Sequence, residues 1–241
     1  MRKKILMVGN TDNLRGVPVD MSSFYSFFTS PTGGNWCDEE IEILMNPTQR
    51  CLFRTIVSIE NADYDYLIVV FSGHGEEADD GTMLTINGQG ETITLDDLTN
   101  LSQRQLLIID CCRSRMLFPV DFAFVDEGAT MLSMSRDPIR RAYEERIWDS
   151  MPQEVILYAC DDGEKSFDSS DGGVYSHYLL NAAQMLSTSS RSPFVSVGRA
   201  HFKAVSIMRQ DNSVMKQHPQ ILQPRCPASQ QLPFAVNAKL W

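Results

Sequence analysis

The sequence predicts an α/β fold built around a mostly parallel β-sheet. Two apolar runs, residues 66–71 and 106–109, have the length of strands and contain no charged position. Such runs, bounded by turn residues, are typical of parallel strands that are buried on both faces. The segments between predicted strands carry apolar residues at helical spacing. Strands that alternate with helices in this way favour a sheet whose neighbouring strands run parallel.

The first part of the chain contributes two further strands and two helices. Residues 3–8 form an apolar run and residues 40–44 alternate between acidic and apolar positions, so both are predicted strands. Helices are predicted over residues 19–29 and 47–62, because apolar residues recur there every three or four positions. Residues 76–81 are acidic and are expected to form a loop.

A hairpin and a short helix are predicted next. Asn87-Gly88 is a strong turn signal between residues 83–86 and 92–95. Thr94, with Asp97 three residues later, has the pattern of a helix N-cap. Further strands are predicted at residues 106–109, 154–159 and 232–236, and helices at 174–186 and 195–209.

Composition excludes several classes of function. The chain has 241 residues, a formal net charge of -10 and a pI near 4.8, which argues against a nucleic-acid partner because such partners require a basic face. No apolar stretch has the length of a membrane span, so no membrane partner is expected. The six cysteines include no CxxC pair, so no metal site is assigned. A cytoplasmic location is predicted, since unpaired cysteines fit a reducing compartment.

Two of the predicted strands end in reactive residues. One is followed by Ser72-Gly73-His74-Gly75 and the other by Asp110-Cys111-Cys112-Arg113-Ser114. Neighbouring parallel strands carry such residues to the same edge of the sheet, where ligands bind. One cysteine and one histidine at that edge are what a thiol nucleophile and its acid/base partner require. Because side chains alternate along extended backbone, Cys112 is expected on the side of Asp110, with Cys111 buried opposite.

The order of these motifs resembles the caspase-like cysteine peptidases. The chain contains, in order, a strand before Ser-Gly-His-Gly, a strand before Asp-Cys-Cys-Arg-Ser, a strand before Ala-Cys and a Gly-Gly-Val-Tyr-Ser helix. This order is similar to that of the metacaspase and prokaryotic caspase-homologue branch. The resemblance implies a caspase-like fold, with helices on both faces of the sheet. It also implies that His74 is the catalytic histidine, that Cys112 is the nucleophile, and that the N–H groups of Gly75 and Cys112 bind the oxyanion. The glycine that commonly follows the nucleophile in this family is missing here.

The resemblance also predicts the specificity. Metacaspases cut after Arg or Lys and use pocket aspartates, one of which lies two residues before the nucleophile, where this chain has Asp110. A second lies in a Leu-x-Gly-x-x-x-Asp stretch, which residues 14–20 match, so Asp20 is the counterpart. By itself, Asp20 also fits an ordinary position near a helix start. Ser72 corresponds to a serine at the pocket edge. Two carboxylates favour a guanidinium or ammonium group, so protein or peptide substrates with Arg or Lys before the scissile bond are expected.

Regulation is expected from the same resemblance. The chain is predicted to be one domain with a larger part at 1–114, a smaller part at 154–241 and a linker at 115–153 that includes a helix near 139–148. Caspase-like enzymes are often cut in such a linker, which makes Arg140 and Arg141 the predicted processing site of a zymogen, cut by itself or by an activating protease or regulator. The alternative is an exposed helix with salt bridges.

No cofactor is required by this chemistry, but calcium activation is a further expectation. It rests on carboxylates at Asp79, Asp80, Asp96 and Asp97, whose spacing is not that of a calcium-binding loop. Two other functions stay open. One is a catalytically silent caspase homologue that acts as a binding or scaffold module, against which the intact His74 and Cys112 pair argues. The other is an Asp-directed caspase-like peptidase, against which Asp110 argues.

Overall fold

Thirteen strands and five α-helices occur in the residues that the computed structural model describes, which are 1–79, 81–114, 137–211 and 217–241. The strands are β1 (Lys3–Gly9), β2 (Ile41–Met45), β3 (Tyr66–Ser72), β4 (His74–Ala78), β5 (Gly81–Thr85), β6 (Thr92–Thr94), β7 (Arg104–Asp110), β8 (Gln153–Tyr158), β9 (Asp168–Ser169), β10 (Gly172–Gly173), β11 (Phe194–Ser196), β12 (Gln220–Leu222) and β13 (Pro233–Val236). The helices are α1 (Val17–Thr29), α2 (Gln49–Ala62), α3 (Pro138–Trp148), α4 (Val174–Ser189) and α5 (Val197–Met208). No helix among these residues is long and apolar enough to cross a bilayer.

The central sheet has six strands in the order β12-β8-β7-β3-β1-β2. All neighbours are parallel except β12, which is antiparallel to β8. This arrangement confirms the predicted mostly parallel sheet. Strand β12 was not predicted, because three residues are too few to show a period and its pairing depends on β8 being alongside.

Helices cover both faces of this sheet, as predicted. Alternate residues of β3 point to opposite sides: Leu67 and Val69 pack with α2, whereas Ile68 and Val70 join the core formed with α1, α3, α4 and α5. Every residue of β3 and β7 is buried. The uninterrupted apolar pattern of the two runs follows from this burial on both faces.

The register of β3 and β7 brings their carboxyl ends together. Ser72 lies opposite Asp110, and the N–H of Gly73 donates to the carbonyl of Asp110 at 3.1 Å. His74 and Cys112 each follow two residues later in their segments. The prediction that these two strands are parallel neighbours is therefore confirmed, and the two reactive segments leave the sheet side by side.

The region after His74 differs from the prediction. Residues 74–78 form β4, which pairs antiparallel with β5, so the predicted acidic loop at 76–81 is wrong for residues 76–78 and 81, whereas Asp79 lies in a turn. Acidic side chains are tolerated in this short strand because one face of the ribbon is open to water, and charge also protects strand edges. The predicted hairpin is confirmed by the pairing of β5 with β6, and Thr94 and Asp97 form the predicted cap of a short 3₁₀ helix.

Helix α3 confirms the helix predicted near residues 139–148. Asp137 caps it by accepting a hydrogen bond from the N–H of Ile139 at 2.9 Å, and Pro138 occupies its first turn. Residues 115–136 of the predicted linker lie outside the described part of the chain. The division of the chain into larger and smaller parts stays a prediction.

Candidate active site

His74 is the first residue of β4 and is half-buried. Its Nε2 forms a 2.5 Å hydrogen bond with the carbonyl oxygen of Asp12. A carbonyl oxygen can only accept, so Nε2 must carry the proton. In the neutral ring Nδ1 is then left as the basic nitrogen, and the Asp12 carbonyl sets both the tautomer and the orientation of the imidazole.

Cys112 follows β7 and is half-buried. Its thiol donates to the carbonyl oxygen of Ser166, with an Sγ–O distance of 3.5 Å. Burial raises the pKa of Cys112, and the carboxyl of Asp110 raises it further, while Lys165 acts in the opposite direction. Burial thus favours the protonated thiol in this conformation, whereas the reactive form is the thiolate.

Cys111 occupies the opposite side of the segment, as predicted from side-chain alternation. Its side chain is 2% exposed and belongs to the core on the α2 face, and burial raises its pKa well above the usual range. Gly75 lies directly against this turn. A Cβ added at Gly75 would lie 2.6 Å from the Cys111 Sγ and 3.0 Å from the Cys112 carbonyl oxygen. Glycine at this position therefore allows β4 to approach the segment that carries Cys112.

A small cleft opens beside Cys112. It is lined by Leu14, Val17, Asp20, Ser72, Gly73, Asp110, Cys111, Cys112, Ser166, Phe167, Asp168 and Gly173. The cleft therefore unites Asp20, Ser72, Asp110 and Cys112, four of the predicted site residues.

Two buried carboxyl groups form the floor of the cleft. Asp20, in the first turn of α1, is 3% exposed and accepts hydrogen bonds from the Ser72 hydroxyl at 2.6 Å and the Gly173 N–H at 2.9 Å. Burial raises the pKa of Asp20 to about 7, and the neighbouring Asp110 contributes to the shift. The sequence alone also allowed Asp20 to be an ordinary residue near a helix start. Such a residue is usually exposed, whereas Asp20 is buried and accepts two hydrogen bonds from other segments.

Asp110, at the end of β7, is the second carboxyl group. It is 5% exposed and accepts hydrogen bonds from the Ser166 hydroxyl at 2.6 Å, the Ser176 hydroxyl at 2.6 Å and the Ser176 N–H at 3.2 Å. Burial raises its pKa as well. No Lys or Arg among the described residues forms an ion pair with Asp20 or Asp110, so both acids are held by neutral donors only.

Glycine at position 173 makes room for both acids. A Cβ there would lie 2.9 Å from the Asp110 Cγ and 3.1 Å from the Asp20 Oδ2. The two carboxyl groups thus converge on one point of the backbone, at the start of α4. The sequence motif Gly-Gly-Val-Tyr-Ser includes this glycine, and its serine is the Ser176 that binds Asp110.

Arg113 connects the segment after Cys112 to its surroundings. Its side chain donates to Glu77 of β4 at 3.1 Å, pairs with Asp162, and lies 4.2 Å from the centre of the Tyr158 ring. Its N–H also donates to the Glu164 carbonyl at 2.9 Å. One side chain therefore links the Cys112 segment to the strand that begins with His74.

Three polar residues of the site were missed from the sequence: Ser166, Asp168 and Ser176. Ser166 and Asp168 follow the end of β8, where the rule that ligands bind at carboxyl ends of parallel strands could have indicated them. They were missed because six or more residues separate them from the strand, and their approach to β7 depends on the path of the loop.

Arg140 and Arg141 lie in α3, away from this cleft. Both arginines are therefore on the predicted linker helix, where the Arg140 guanidinium pairs with Glu40 at 2.5 and 2.8 Å and with Glu144 at 3.1 Å. Arg141 pairs with Glu145 on the helix surface. This is the helix with salt bridges considered as the alternative, since arginine side chains at helical spacing from glutamates form such pairs. Cleavage at these residues is not tested by this setting and stays a prediction.

One of the four acids on which the calcium prediction rests, Asp97, has a structural role in the cap of a short helix. Asp97 accepts hydrogen bonds from the N–H and hydroxyl of Thr94, both at 2.8 Å. Asp80 lies outside the described residues. Within the described ranges, no three His, Cys, Asp or Glu side chains come together in a way that could hold a metal ion. Calcium activation stays a prediction.

Comparison with known proteins shows the family and the fold of the chain. The family model of the caspase domain matches residues 2–228. The crystal structure of caspase-1 from Spodoptera frugiperda matches with a TM-score of 0.59 and 14% identity, over 91% of this chain and 87% of that chain, which shows the shared fold. No curated protein sequence matches significantly. Because the family model spans nearly the entire sequence, the chain belongs to the caspase domain family of cysteine endopeptidases.

Proposed function

We propose that this endopeptidase cleaves peptide bonds after Arg or Lys, through Cys112 and His74. The observation that carries the specificity is the pair of buried carboxyl groups, Asp20 and Asp110, in the cleft beside Cys112. Buried acids without a cationic partner are unfavourable, and a substrate guanidinium or ammonium supplies the missing charge. Ser72 contributes by orienting Asp20.

The proposed chemistry follows from the residue types. The Cys112 thiol loses its proton to His74, and the sulfur attacks the scissile carbonyl carbon to form a tetrahedral intermediate. The N–H groups of Gly75 and Cys112 are the proposed donors to its oxyanion. His74 returns the proton to the leaving amine as the C–N bond breaks, and water then hydrolyses the thioester with His74 as base.

The first experiment compares fluorogenic peptides that differ only before the scissile bond: Arg, Lys, Asp and Ala. Turnover of the Arg and Lys peptides, lost in Cys112→Ala and retained in Cys111→Ala, is the expected result. The Cys111 variant is a matched control because it removes the adjacent thiol from the core and leaves the proposed nucleophile intact.

Each other outcome contradicts a defined part of the proposal. Turnover of the Asp peptide alone would assign the Asp-directed alternative and overturn the role of the two carboxyl groups. Turnover that survives Cys112→Ala would overturn the nucleophile. No turnover of any peptide, together with no labelling of Cys112 by an arginine-directed thiol-reactive probe, would favour the silent homologue that acts as a binding module.

A resting conformation is the second element of the proposal. The hydrogen bond from the Cys112 thiol to the Ser166 carbonyl and the raised pKa of that thiol support a state that requires activation. A regulator, calcium or proteolytic processing would have to move the Ser166 segment away from the sulfur. Adding calcium to the peptide assay tests that route directly, and a chelator provides its control.

Processing at Arg140 or Arg141 requires local unwinding of α3, because peptidases bind extended backbone. The side chain of Arg141 is 82% exposed and that of Arg140 is 18% exposed, so Arg141 is the more accessible of the two. Mass spectrometry of the active enzyme over time tests this. Intact chain throughout, with full activity, would contradict processing as the activating step.

A further inference from the structure

We propose that Asn10 is a positioning residue for His74 and acts on it through the backbone of Asp12. This inference rests on the proposed function, because it concerns the histidine of the same reaction. Asn10 directly follows β1 and is completely buried, outside the lining of the cleft. Buried amide groups are normally hydrogen-bonded, and the partners of this one surround His74.

The Asn10 side chain holds the residue whose carbonyl binds His74. Its Oδ1 accepts a hydrogen bond from the N–H of Asp12 at 3.0 Å, which closes a turn of the backbone. The carbonyl oxygen of Asp12 in turn accepts from His74 Nε2. Because the two hydrogen bonds involve the backbone of a single residue, the direction of the Asp12 carbonyl depends on the Asn10 amide.

The other end of the amide holds the strand that is paired with His74. Asn10 Nδ2 donates to the Thr85 carbonyl oxygen at 2.8 Å. Thr85 is the last residue of β5 and lies opposite His74 in the antiparallel register with β4. The backbone N–H of Asn10 donates to the carbonyl of Ser72, at the end of β3, at 2.9 Å. Asn10 therefore fixes the Asp12 carbonyl relative to the backbone that carries His74.

The loop that contains Asp12 has a second anchor, Asn46, which follows β2. Asn46 Oδ1 accepts from the Thr11 N–H at 2.9 Å, and its Nδ2 donates to the Thr11 hydroxyl at 2.9 Å. Thr11 is thus held independently of the Asn10 side chain. Replacing that side chain is therefore expected to release Asp12 and to leave the neighbouring backbone in place.

The direction of the Asp12 carbonyl determines how the His74 ring is presented. A proton held on Nε2 leaves Nδ1 as the base, and a base must lie within hydrogen-bond reach of the proton that it takes. Without the Asn10 amide, the Asp12 N–H loses its acceptor and the carbonyl is free to turn away from the ring. A displacement of about 1 Å between reacting groups is enough to slow catalysis strongly.

The kinetic test measures kcat and KM of the Arg peptide in two variants of Asn10. In Asn10→Ala we expect kcat to fall about tenfold or more, and KM to change less than about twofold because the residue lies outside the cleft lining. Asn10→Asp keeps the oxygen that accepts from Asp12 and loses the donor to Thr85. Its kcat should stay within about threefold of wild type, although its midpoint of thermal unfolding is lower. A purely structural role would lower both quantities together.

Asn87→Ala is the matched control. Asn87 is also completely buried, its Oδ1 accepts from the N–H of Gln89 at 3.0 Å, and its Nδ2 donates to the Pro47 carbonyl at 2.8 Å. It therefore matches Asn10 in burial and in local hydrogen bonding, but it holds a different turn. Its kcat should equal that of wild type. Thermal unfolding defines a temperature at which the compared variants are folded.

The ring of His74 gives a readout that does not depend on catalysis. Nitrogen NMR of isotope-labelled protein distinguishes a proton on Nδ1 from one on Nε2 in a neutral imidazole, and comparison with His74→Ala assigns the signals. We expect the Nε2 proton in wild type and in Asn10→Asp, and a mixture of both tautomers in Asn10→Ala.

The outcomes separate this inference from the proposed function. An unchanged kcat in Asn10→Ala, or an equal loss of kcat in Asn87→Ala, overturns the inference alone. A kcat of Asn10→Asp that falls by tenfold or more also overturns it, and this variant decides the question where the alanine variant does not fold. Wild type that cleaves none of the peptides overturns the proposed function, and the tautomer of His74 in the variants then tests the role of Asn10 by itself.

Discussion

At the scale of single residues, Asp20 illustrates how surroundings set the chemistry of the cleft. Its carboxyl group is buried, accepts hydrogen bonds from the neutral donors Ser72 and Gly173, and lies beside Asp110. Burial, aided by the charge of Asp110, raises its pKa to about 7. Near neutral pH the empty cleft therefore holds a proton on one of its acids for part of the time, and a bound cation would displace it.

This shift predicts a pH dependence of substrate binding. Asp20 becomes ionised as the pH rises through about 7, and the ionised carboxylate binds a cation more strongly. KM for an Arg peptide should therefore decrease as the pH rises from about 6 to about 8. In Asp20→Asn the KM should be higher and lose this dependence, because no proton is exchanged at that position. KM and kcat are measured separately across the range, with Asp171→Asn, which changes an exposed acid outside the cleft lining, as control. A wild-type KM that is constant over this range would contradict the prediction.

At the scale of elements, the hairpin of β4 and β5 and the segment after β7 hold the two reactive residues. Arg113 of that segment binds Glu77, which is three residues beyond His74 and also accepts from the Thr82 hydroxyl at 3.0 Å. Small displacements between reacting groups reduce catalytic rates strongly. The ion pair is therefore expected to affect the reaction through the position of the Cys112 segment relative to His74.

Removing this ion pair should lower kcat and leave KM unchanged. In Glu77→Gln the charge that holds Arg113 is lost, and we expect kcat to fall roughly tenfold because the Cys112 segment is less firmly placed. Steady-state kinetics with the Arg peptide measure this. Glu76→Gln is the control, since Glu76 is the exposed neighbour in the same strand. Equal kinetics in the two variants would contradict the positioning role.

Helix α3 is attached through a second, half-buried ionic cluster. Glu40 binds Arg140, and it also binds Lys3, whose side chain is fully buried and lies 3.8 Å from the centre of the Trp36 ring. Burial lowers the pKa of Lys3, and Glu40 partly reverses that shift. Glu144 of α3 pairs with the same two cations, Lys3 at 3.6 Å and Arg140 at 3.1 Å, so two carboxylates balance two cations between β1, the segment before β2 and α3.

Loss of Glu40 should destabilise the fold. Glu40→Gln leaves Lys3 and Arg140 with Glu144 as their remaining carboxylate partner, and the free energy of unfolding should fall by about 2–3 kcal/mol. The control is Glu145→Gln, whose pair with Arg141 is mostly exposed and should contribute less than about 0.5 kcal/mol. Urea unfolding of both variants at neutral pH gives the comparison. A similar decrease in the free energy of unfolding of both variants would show that the half-buried cluster stabilises the fold no more than an exposed ion pair does.

At the scale of the whole molecule, the cleft is stable only because the rest of the fold tolerates buried acids. Asp20 and Asp110 lie at the point where α1, β7 and α4 meet, beside two extended hydrophobic cores. Both pKa values are raised by burial, so the ionised forms oppose folding. The expected benefit is a strong preference for a cationic ligand, obtained at the expense of stability in the empty protein.

This cost predicts how stability varies with pH. The pKa of Asp20 in the folded protein is about 7 and exceeds its ordinary value of 3.8. The free energy of unfolding is therefore unaffected by ionisation of Asp20 below about pH 3.8 and decreases as the pH rises from there to about 7. Asp20→Asn should therefore match wild type in acid and exceed it by at least about 1 kcal/mol above neutral pH. Unfolding free energies measured over this range test the sign. A variant that is less stable than wild type at high pH would contradict it.

Much of the fold and part of the site could be predicted from the chain alone. Strands buried on both faces must be apolar throughout, which is why β3 and β7 were evident, and polar residues directly after them predicted the edge that holds His74 and Cys112. The alternation of side chains correctly separated Cys111 from Cys112. These features depend on residues adjacent in sequence, where periodicity carries the information.

Other features were decided by tertiary contacts. Strand β12 exists because β8 offers an edge, and β4 exists because β5 pairs with it, so charge patterns at residues 76–81 misled the prediction. The roles of Ser166 and Asp168 depend on a loop that returns to β7 over six or more residues. The sequence by itself determined the sheet, its reactive edge and the acids at positions 20 and 110. Only the tertiary structure decided that these acids are buried together and that no Lys or Arg of the described residues pairs with them, because burial depends on how separate segments pack.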